Sequence, residues 1–312
     1  MSNSIIKKIS IILLAVRPQF FQASVIPVLL GTAVSYYQNM RVNMILLMIT
    51  LTGILFIHAG LNLANDYFDF KSGTDDINNN YNAFSGGSRF IQNGILSPRQ
   101  IIIFSVTCFS AGSLIGLYIN YILPGNTVLL IGIAGVFLAF FYSAGPLKIG
   151  YTGFGELSTA IGFGPLITAG SFYVQSQKLS YLPLNASVPV ALLTALILII
   201  NGFPDYESDK ISGKKTLVVL LGKKNSTILY TLLISIMYMW ITAGVLLEYF
   251  PSECMTALIT IPAAIRTVLI IRKNYNNTVS LLPANALTII IHLITGLLFV
   301  SGFIINSVIA GI

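Results

Sequence analysis

Nine apolar runs of membrane-spanning length constrain this chain more than any other feature. They lie at roughly residues 18–37, 43–65, 100–122, 126–143, 154–175, 187–204, 226–247, 254–271 and 284–308. A helix needs about 17–25 apolar residues to cross the hydrocarbon core of a bilayer. Unbroken runs of this kind fold as helices there, because every backbone polar group must find its partner within the segment. The expectation is an all-α, polytopic membrane protein of about nine transmembrane helices around a central cavity. Composition agrees: 55% of residues are apolar and 9% charged, against about 25% charged in soluble domains.

The basic residues give the orientation. With the N-terminus inside, the inner segments hold fourteen (Lys7, Lys8, Arg17, Lys71, Arg89, Arg99, Lys148, Lys210, Lys214, Lys215, Lys223, Lys224, Arg272, Lys273), and the outer segments hold Arg41 and Lys178. That asymmetry predicts an N-in/C-out integral membrane protein. It also accounts for the net charge of +7 without any nucleic-acid partner. Lys7 and Lys8 lead into a short apolar stretch with no small-residue cleavage site, which reads as an interfacial helix rather than a cleaved signal. Cys108 and Cys254 both lie in apolar runs, so neither a disulfide framework nor a thiolate metal site is expected.

The acids crowd the same inner face. Asn62, Asp66 and Asp69 stand at i, i+4 and i+7 at the end of the second run, and Asn201, Asp205 and Asp209 at i, i+4 and i+8 at the end of the sixth. On helices each set shares one face. Carboxylates at a helix C-terminus meet a negative macrodipole and each other's charge, and nothing nearby in sequence compensates. A hard divalent cation such as Mg²⁺ would compensate, and it leaves coordination positions for phosphate oxygens. Two long connections, 66–99 and 205–225, are expected on this face, and Pro204 is expected to disrupt the sixth helix just before Asp205, either aiming the acids or marking the helix end. Asn62 and Asp66 recur at an offset of 139, and Ser72-Gly73 recurs as Ser212-Gly213 at an offset of 140. The expected organisation is one domain over 1–312, with parallel halves at roughly 18–143 and 154–271 and a ninth helix beyond them.

At these residues the chain resembles the UbiA superfamily of intramembrane prenyltransferases. The likeness rests on Asn65-Asp66-Tyr-Phe-Asp69, on Asp205-x3-Asp209 and on the nine runs, and it covers essentially the whole chain. Gly73-x-Asp75 and the stretch Asp209-Lys-Ile-Ser-Gly213-Lys-Lys-Thr look most like the menaquinone branch, which prenylates 1,4-dihydroxy-2-naphthoate. Two elements depart from the usual pattern. Gly73 stands where a third Asp is common, with Asp75 the nearest acid. A Tyr-x3-Lys element would start at Tyr142, but the lysine is Lys148.

The resemblance implies a transferase that moves a polyprenyl group from its diphosphate to an aromatic acceptor. Asp66, Asp69, Asp205 and Asp209 would hold Mg²⁺, which neutralises the leaving group and orients it. Arg89, Lys148, Lys214 and Lys215 would take the remaining phosphate oxygens, and Asn62, Asn65, Asp75, Tyr142 and Asn201 would complete the substrate site. Tyr67, Phe68, Phe140, Phe141, Tyr142 and Tyr206 could face the allylic cation. The prenyl tail would lie among the apolar helices, with chemistry at the cytoplasmic face of the plasma membrane if the source is prokaryotic. Other acceptors within the superfamily are 4-hydroxybenzoate, haem and glycerol-phosphate lipids. A transporter, the rival from another class, would carry ionisable groups near mid-membrane, whereas these acids gather at one surface. A metal-dependent phosphatidyl-group transferase would show Asp-x2-Asp-Gly with an Ala-Arg pair, which this chain lacks. The lone histidines, His58 and His292, read as interior hydrogen-bonding groups.

Overall fold

The computed structural model describes residues 11–311, so Lys7 and Lys8 lie outside the described residues. After a helical stretch at 11–15, nine longer helices follow in order among the described residues: α1 (Pro18–Asn39), α2 (Met44–Lys71), α3 (Pro98–Ile122), α4 (Thr127–Ser143), α5 (Gly155–Ser176), α6 (Leu182–Ile211), α7 (Leu217–Leu246), α8 (Ser252–Asn274) and α9 (Thr278–Ala310). Eight are long and apolar enough to cross a membrane, and α4, with 17 residues, is the shorter ninth. No strand occurs among the described residues.

α1 and α6 lie at the centre. α1 packs on α5 and α9, and α6 on α7 and α9, while α2 pairs with α3 at one flank. The core between them contains Ile26, Leu30, Phe172, Leu193, Phe203, Tyr230 and Phe299. In lipid the hydrophobic effect does little to drive helices together, so close packing and hydrogen bonds between helices count for more. Gly31 supplies the first: a Cβ there would sit 2.3 Å from Thr168 O. Tyr230 with Thr288 (2.7 Å) and Thr260 with Thr295 (2.7 Å) supply the second. The histidines behave as expected, His58 with Ser24 Oγ at 2.8 Å and His292 with Thr194 Oγ1 at 3.3 Å.

The structure corrects the expected helix ends. α2 continues past residue 65 to Lys71, and α6 past residue 204 to Ile211. Both acidic clusters therefore lie inside the last turns of helices, as the shared-face spacing requires, although the apolar runs stop short of them. Pro204 is accommodated in α6. A proline leaves the carbonyl four residues back without its donor, and here Asn285 Nδ2 approaches that carbonyl, Ile200 O, at 3.4 Å. The expected long connection at 205–225 is consequently only residues 212–216, because α7 begins at Leu217 and absorbs Lys223 and Lys224 beyond a kink at Gly222. The other connection, expected over 66–99, is trimmed to 72–97 by the same helix extension and remains long.

α2 and α6 end alike. Ser72 Oγ donates to Asp69 O (3.0 Å) and Ser212 Oγ to Asp209 O (3.1 Å). Gly73 and Gly213 then take φ of +74° and +77°, and Thr74 N and Lys214 N donate to the same two carbonyls at 3.0 and 2.8 Å. This is a glycine-terminated cap in which only a residue free of Cβ turns left-handed at low cost. The caps turn the chain back over the acids, so residues 74–89 and Lys214 come to lie against them.

Candidate active site

The ends of α2, α5 and α6, with the 72–97 connection folded over them, enclose a polar chamber of about 180 Å³. Arg17, immediately before α1, pairs with Asp66, which also receives the Ser88 N–H at 3.3 Å on each oxygen. Asp69 accepts from the Tyr151 hydroxyl, from Asn65 Nδ2 (3.1 Å) and from Lys214 Nζ (3.2 Å). Lys214 also reaches Asp209 at 3.9 Å, whose other oxygen faces Thr216 Oγ1 at 3.5 Å. Asp205 accepts from Asn78 Nδ2 at 2.7 Å. The expectation that nothing nearby in sequence compensates the acids is thus corrected at the second cluster, where Lys214 lies five residues beyond Asp209; for the first cluster Arg17 and Lys214 compensate from distant parts of the chain.

Of the residues singled out from sequence, Asn62, Asn65, Asp69, Asp75, Tyr142, Asn201, Asp205, Asp209 and Lys214 line the chamber. Asp66 is buried at its wall and meets the chamber through Arg17. Asn62 is held by Val16 O at 2.8 Å and Asn201 by Asn285 at 2.9 Å. Three basic residues are elsewhere. Arg89, at φ +63°, binds the carbonyl of Asp75 and covers the Tyr81 ring, so it pins the loop. Lys148 and Lys215 are exposed, and Lys148 stands over the outside of the Tyr151 ring at 5.4 Å. Among the aromatics considered from sequence, only Tyr142 faces the chamber; Phe20, Phe84 and Phe163 provide the other aromatic walls. Phe163 sits in a π-turn, Gly162–Leu166, which contains Pro165.

Sequence reasoning missed Arg17, Tyr151, Asn78 and Glu156 as site residues. Glu156 carried the one available signal, an acid inside a spanning run, where an ionisable group is a functional candidate by default. The Tyr151 hydroxyl bridges Asp69, Ser72 Oγ (2.9 Å) and Phe68 O (3.4 Å), and its carbonyl accepts from Lys215 N (3.0 Å). One residue, through its hydroxyl and its carbonyl, thereby ties the 144–154 connection to both cap regions.

The electrostatics follow from burial. Asp75 is pushed up to about 7 by burial, then by Asp69 and Asp66. Burial alone would lower the Lys214 ammonium, but Asp69 and Asp209 outweigh it and hold its pKa well above the ordinary value. Arg17 shows the same contest, with Asp66 prevailing. Five aspartates and Glu156 gather here against two buried cations, leaving a negative surplus. All the acidic donors are oxygens. No three His, Cys, Asp or Glu side chains among the described residues form a ready metal cage. That pattern fits a hard divalent ion held by one or two carboxylates and completed by substrate phosphates.

A second space adjoins the chamber. An apolar cavity of about 490 Å³ runs between α2, α3, α4 and α5. His58, Leu61, Tyr142, Thr159 and Phe163 line both spaces. A charged compartment thus borders a larger greasy one.

Comparison with known proteins agrees with this arrangement. The sequence profile of the UbiA prenyltransferase family matches residues 24–285. The 1,4-dihydroxy-2-naphthoate octaprenyltransferase of Bacillus subtilis is 30% identical over 252 residues, covering 81% of this chain and 79% of that protein. Among solved structures, a digeranylgeranylglyceryl phosphate synthase superposes with a TM-score of 0.65 at 19% identity, over 96% of this chain and 99% of that one. A UbiA homologue from Archaeoglobus fulgidus bound to GPP and Mg²⁺ superposes with a TM-score of 0.59 at 17% identity, over 92% of this chain and 99% of that one. The chain therefore belongs to the UbiA prenyltransferase family and is a multi-pass integral membrane prenyltransferase.

Proposed function

We propose that this prenyltransferase moves a polyprenyl group from a polyprenyl diphosphate to an aromatic acceptor of the 1,4-dihydroxy-2-naphthoate type, with Mg²⁺ as cofactor and the chamber at the cytoplasmic face. The observation that carries the reading is the junction of a chamber of about 180 Å³ rich in carboxylates with an apolar cavity of about 490 Å³. A prenyl diphosphate has the same division, an anionic head and a greasy tail. The naphthoate relative supports the acceptor class, and the Mg²⁺-bound neighbour supports the cofactor.

Mg²⁺ held by Asp66, Asp69, Asp205 and Asp209 would neutralise the diphosphate and make it a competent leaving group. The chain's own groups do the rest. Lys214 and Arg17 exchange part of their carboxylate contacts for phosphate oxygens. Tyr151 and Asn65 fix the orientation of Asp69, and Asn78 that of Asp205, so the acids need little rearrangement when the head arrives. Tyr142 and Phe163, at the junction, present ring faces to the allylic carbon as positive charge develops there. The connection over residues 84–88 excludes water that would otherwise capture the cation. The acceptor's ring carbon then attacks.

The test is a panel under one set of conditions: 1,4-dihydroxy-2-naphthoate, 4-hydroxybenzoate, haem and geranylgeranylglyceryl phosphate. The naphthoate is expected to be prenylated fastest. Turnover with only haem or the glyceryl phosphate would overturn the acceptor class and leave the family assignment standing.

A further inference from the structure

Glu156 is the chamber acid that comes from neither acidic cluster nor the connection that carries Asp75. It comes from α5, not from the two helices that carry the aspartate clusters, and is 5% exposed. Its Oε1 accepts the Leu217 N–H at 2.9 Å, which ties the start of α5 to the start of α7. Its Oε2 is buried without a hydrogen-bond partner among the described residues. The four helix aspartates, by contrast, each have at least one partner. A buried carboxylate oxygen without a partner is costly, and such a cost persists where a ligand supplies the missing donor.

The position of Glu156 says which donor. Glu156, Thr159 and Phe163 stand at i, i+3 and i+7 on α5, and all three line the chamber. Thr159 and Phe163, with Tyr142, also line the apolar cavity. Glu156 is thus one turn from the junction, where a prenyl diphosphate would place its reacting carbon. An acceptor has to meet that carbon, which brings its ring to the Thr159 and Phe163 end of the chamber, within a helical turn of Glu156.

We propose that Glu156 Oε2 is the proton acceptor for the aromatic hydroxyl of the acceptor, an inference that rests on the aromatic-acceptor reading above. The hydroxyl proton passes to Oε2 while the ring carbon bonds to the allylic carbon. The allylic C–O bond breaks and its electron pair leaves with the diphosphate. The ring carbon then releases its hydrogen as a proton to the diphosphate, or its carboxyl group as CO₂. That electron pair restores aromaticity, and Glu156 returns the first proton to the ring oxygen. The Oε1 contact with Leu217 keeps the carboxylate aimed throughout.

The experiment uses the purified full-length protein with Mg²⁺, farnesyl diphosphate and 1,4-dihydroxy-2-naphthoate. E156Q retains an oxygen for the Leu217 N–H and removes only the basic oxygen. It is expected to melt as wild type and bind farnesyl diphosphate as wild type, while kcat for transfer falls on the order of 10²–10⁴-fold. Acceptors with more acidic hydroxyls should recover part of the loss in E156Q. A second measurement needs no variant: the dimethyl ether of the acceptor should compete with it on wild-type protein without being prenylated. Wild-type turnover in E156Q, loss of farnesyl diphosphate binding together with turnover, or rapid prenylation of the ether would each overturn the proposal. Wild-type protein that prenylates no aromatic hydroxyl compound would overturn the acceptor reading itself, and with it this role.

Discussion

Replacing Lys214 by Met should convert a protein that stands without divalent metal into one that leans on it. Lys214 is buried between two carboxylates, 3.2 Å from Asp69 and 3.9 Å from Asp209, with its side chain only 12% exposed. At an effective dielectric of about 20, each contact is worth roughly 4–5 kcal/mol of gross Coulomb energy. Desolvation of the ammonium cancels a large part of that sum. Removing one partner of such a buried set typically costs about 3–5 kcal/mol, because the carboxylates left behind are uncompensated. The variant in EDTA should therefore melt on the order of 10 °C below wild type. On the proposed mechanism, Mg²⁺ with a prenyl diphosphate would offer those carboxylates a new counter-charge, so the melting gap should narrow when both are added. The assay is a pair of thermal melts in detergent, with EDTA and with Mg²⁺ plus farnesyl diphosphate. Equal melting of the two proteins in EDTA, or the same ligand-induced shift in both, would refute the reasoning. The pH dependence has a definite sign. The folded pKa of Lys214 is raised above its ordinary 10.5, so the wild-type contribution is complete below that value. It is lost only as pH climbs through the folded pKa.

Tyr151→Phe deletes the hydroxyl that fixes Asp69 while leaving the ring in place beneath Lys214. A hydrogen bond to a charged group is worth about 1.5–3 kcal/mol, so kcat/KM should drop roughly ten- to a hundredfold with little change in melting; unchanged kcat/KM would contradict the role. For orientation, cysteines introduced at Asn80 and Lys215 should react with a membrane-impermeant maleimide from the cytoplasmic side, and one at Ser180 from the opposite side. A reversed labelling pattern would contradict the basic asymmetry.

The helices were legible because each spanning run is local: its apolar length appears in consecutive residues, and all nine correspond to helices. The aspartate clusters were legible for a similar reason, since acids at the end of an apolar run are conspicuous. What closes the site is not local. Arg17 reaches Asp66 across 49 residues, Tyr151 reaches Asp69 across 82, and Asn78 reaches Asp205 across 127. No periodicity or spacing in the chain encodes such pairings. Positive-inside bias also made every inner lysine look alike, although only Lys214 follows a glycine cap that turns it onto the acids. Pro204 misled for a related reason: its role depends on Asn285, which lies 85 residues from the carbonyl it serves.

The most direct test of the central claim is product formation from labelled farnesyl diphosphate and 1,4-dihydroxy-2-naphthoate by the purified protein. Wild type would be compared with Asp66→Ala, Asp69→Ala, Asp205→Ala and Asp209→Ala, each with Mg²⁺ and with EDTA. Two carboxylate clusters that jointly hold one metal-diphosphate head predict prenylated product from wild type in Mg²⁺ only, and loss of most turnover in every variant while the proteins still insert in the membrane. Full turnover in EDTA, or in any two of the four variants, would contradict it.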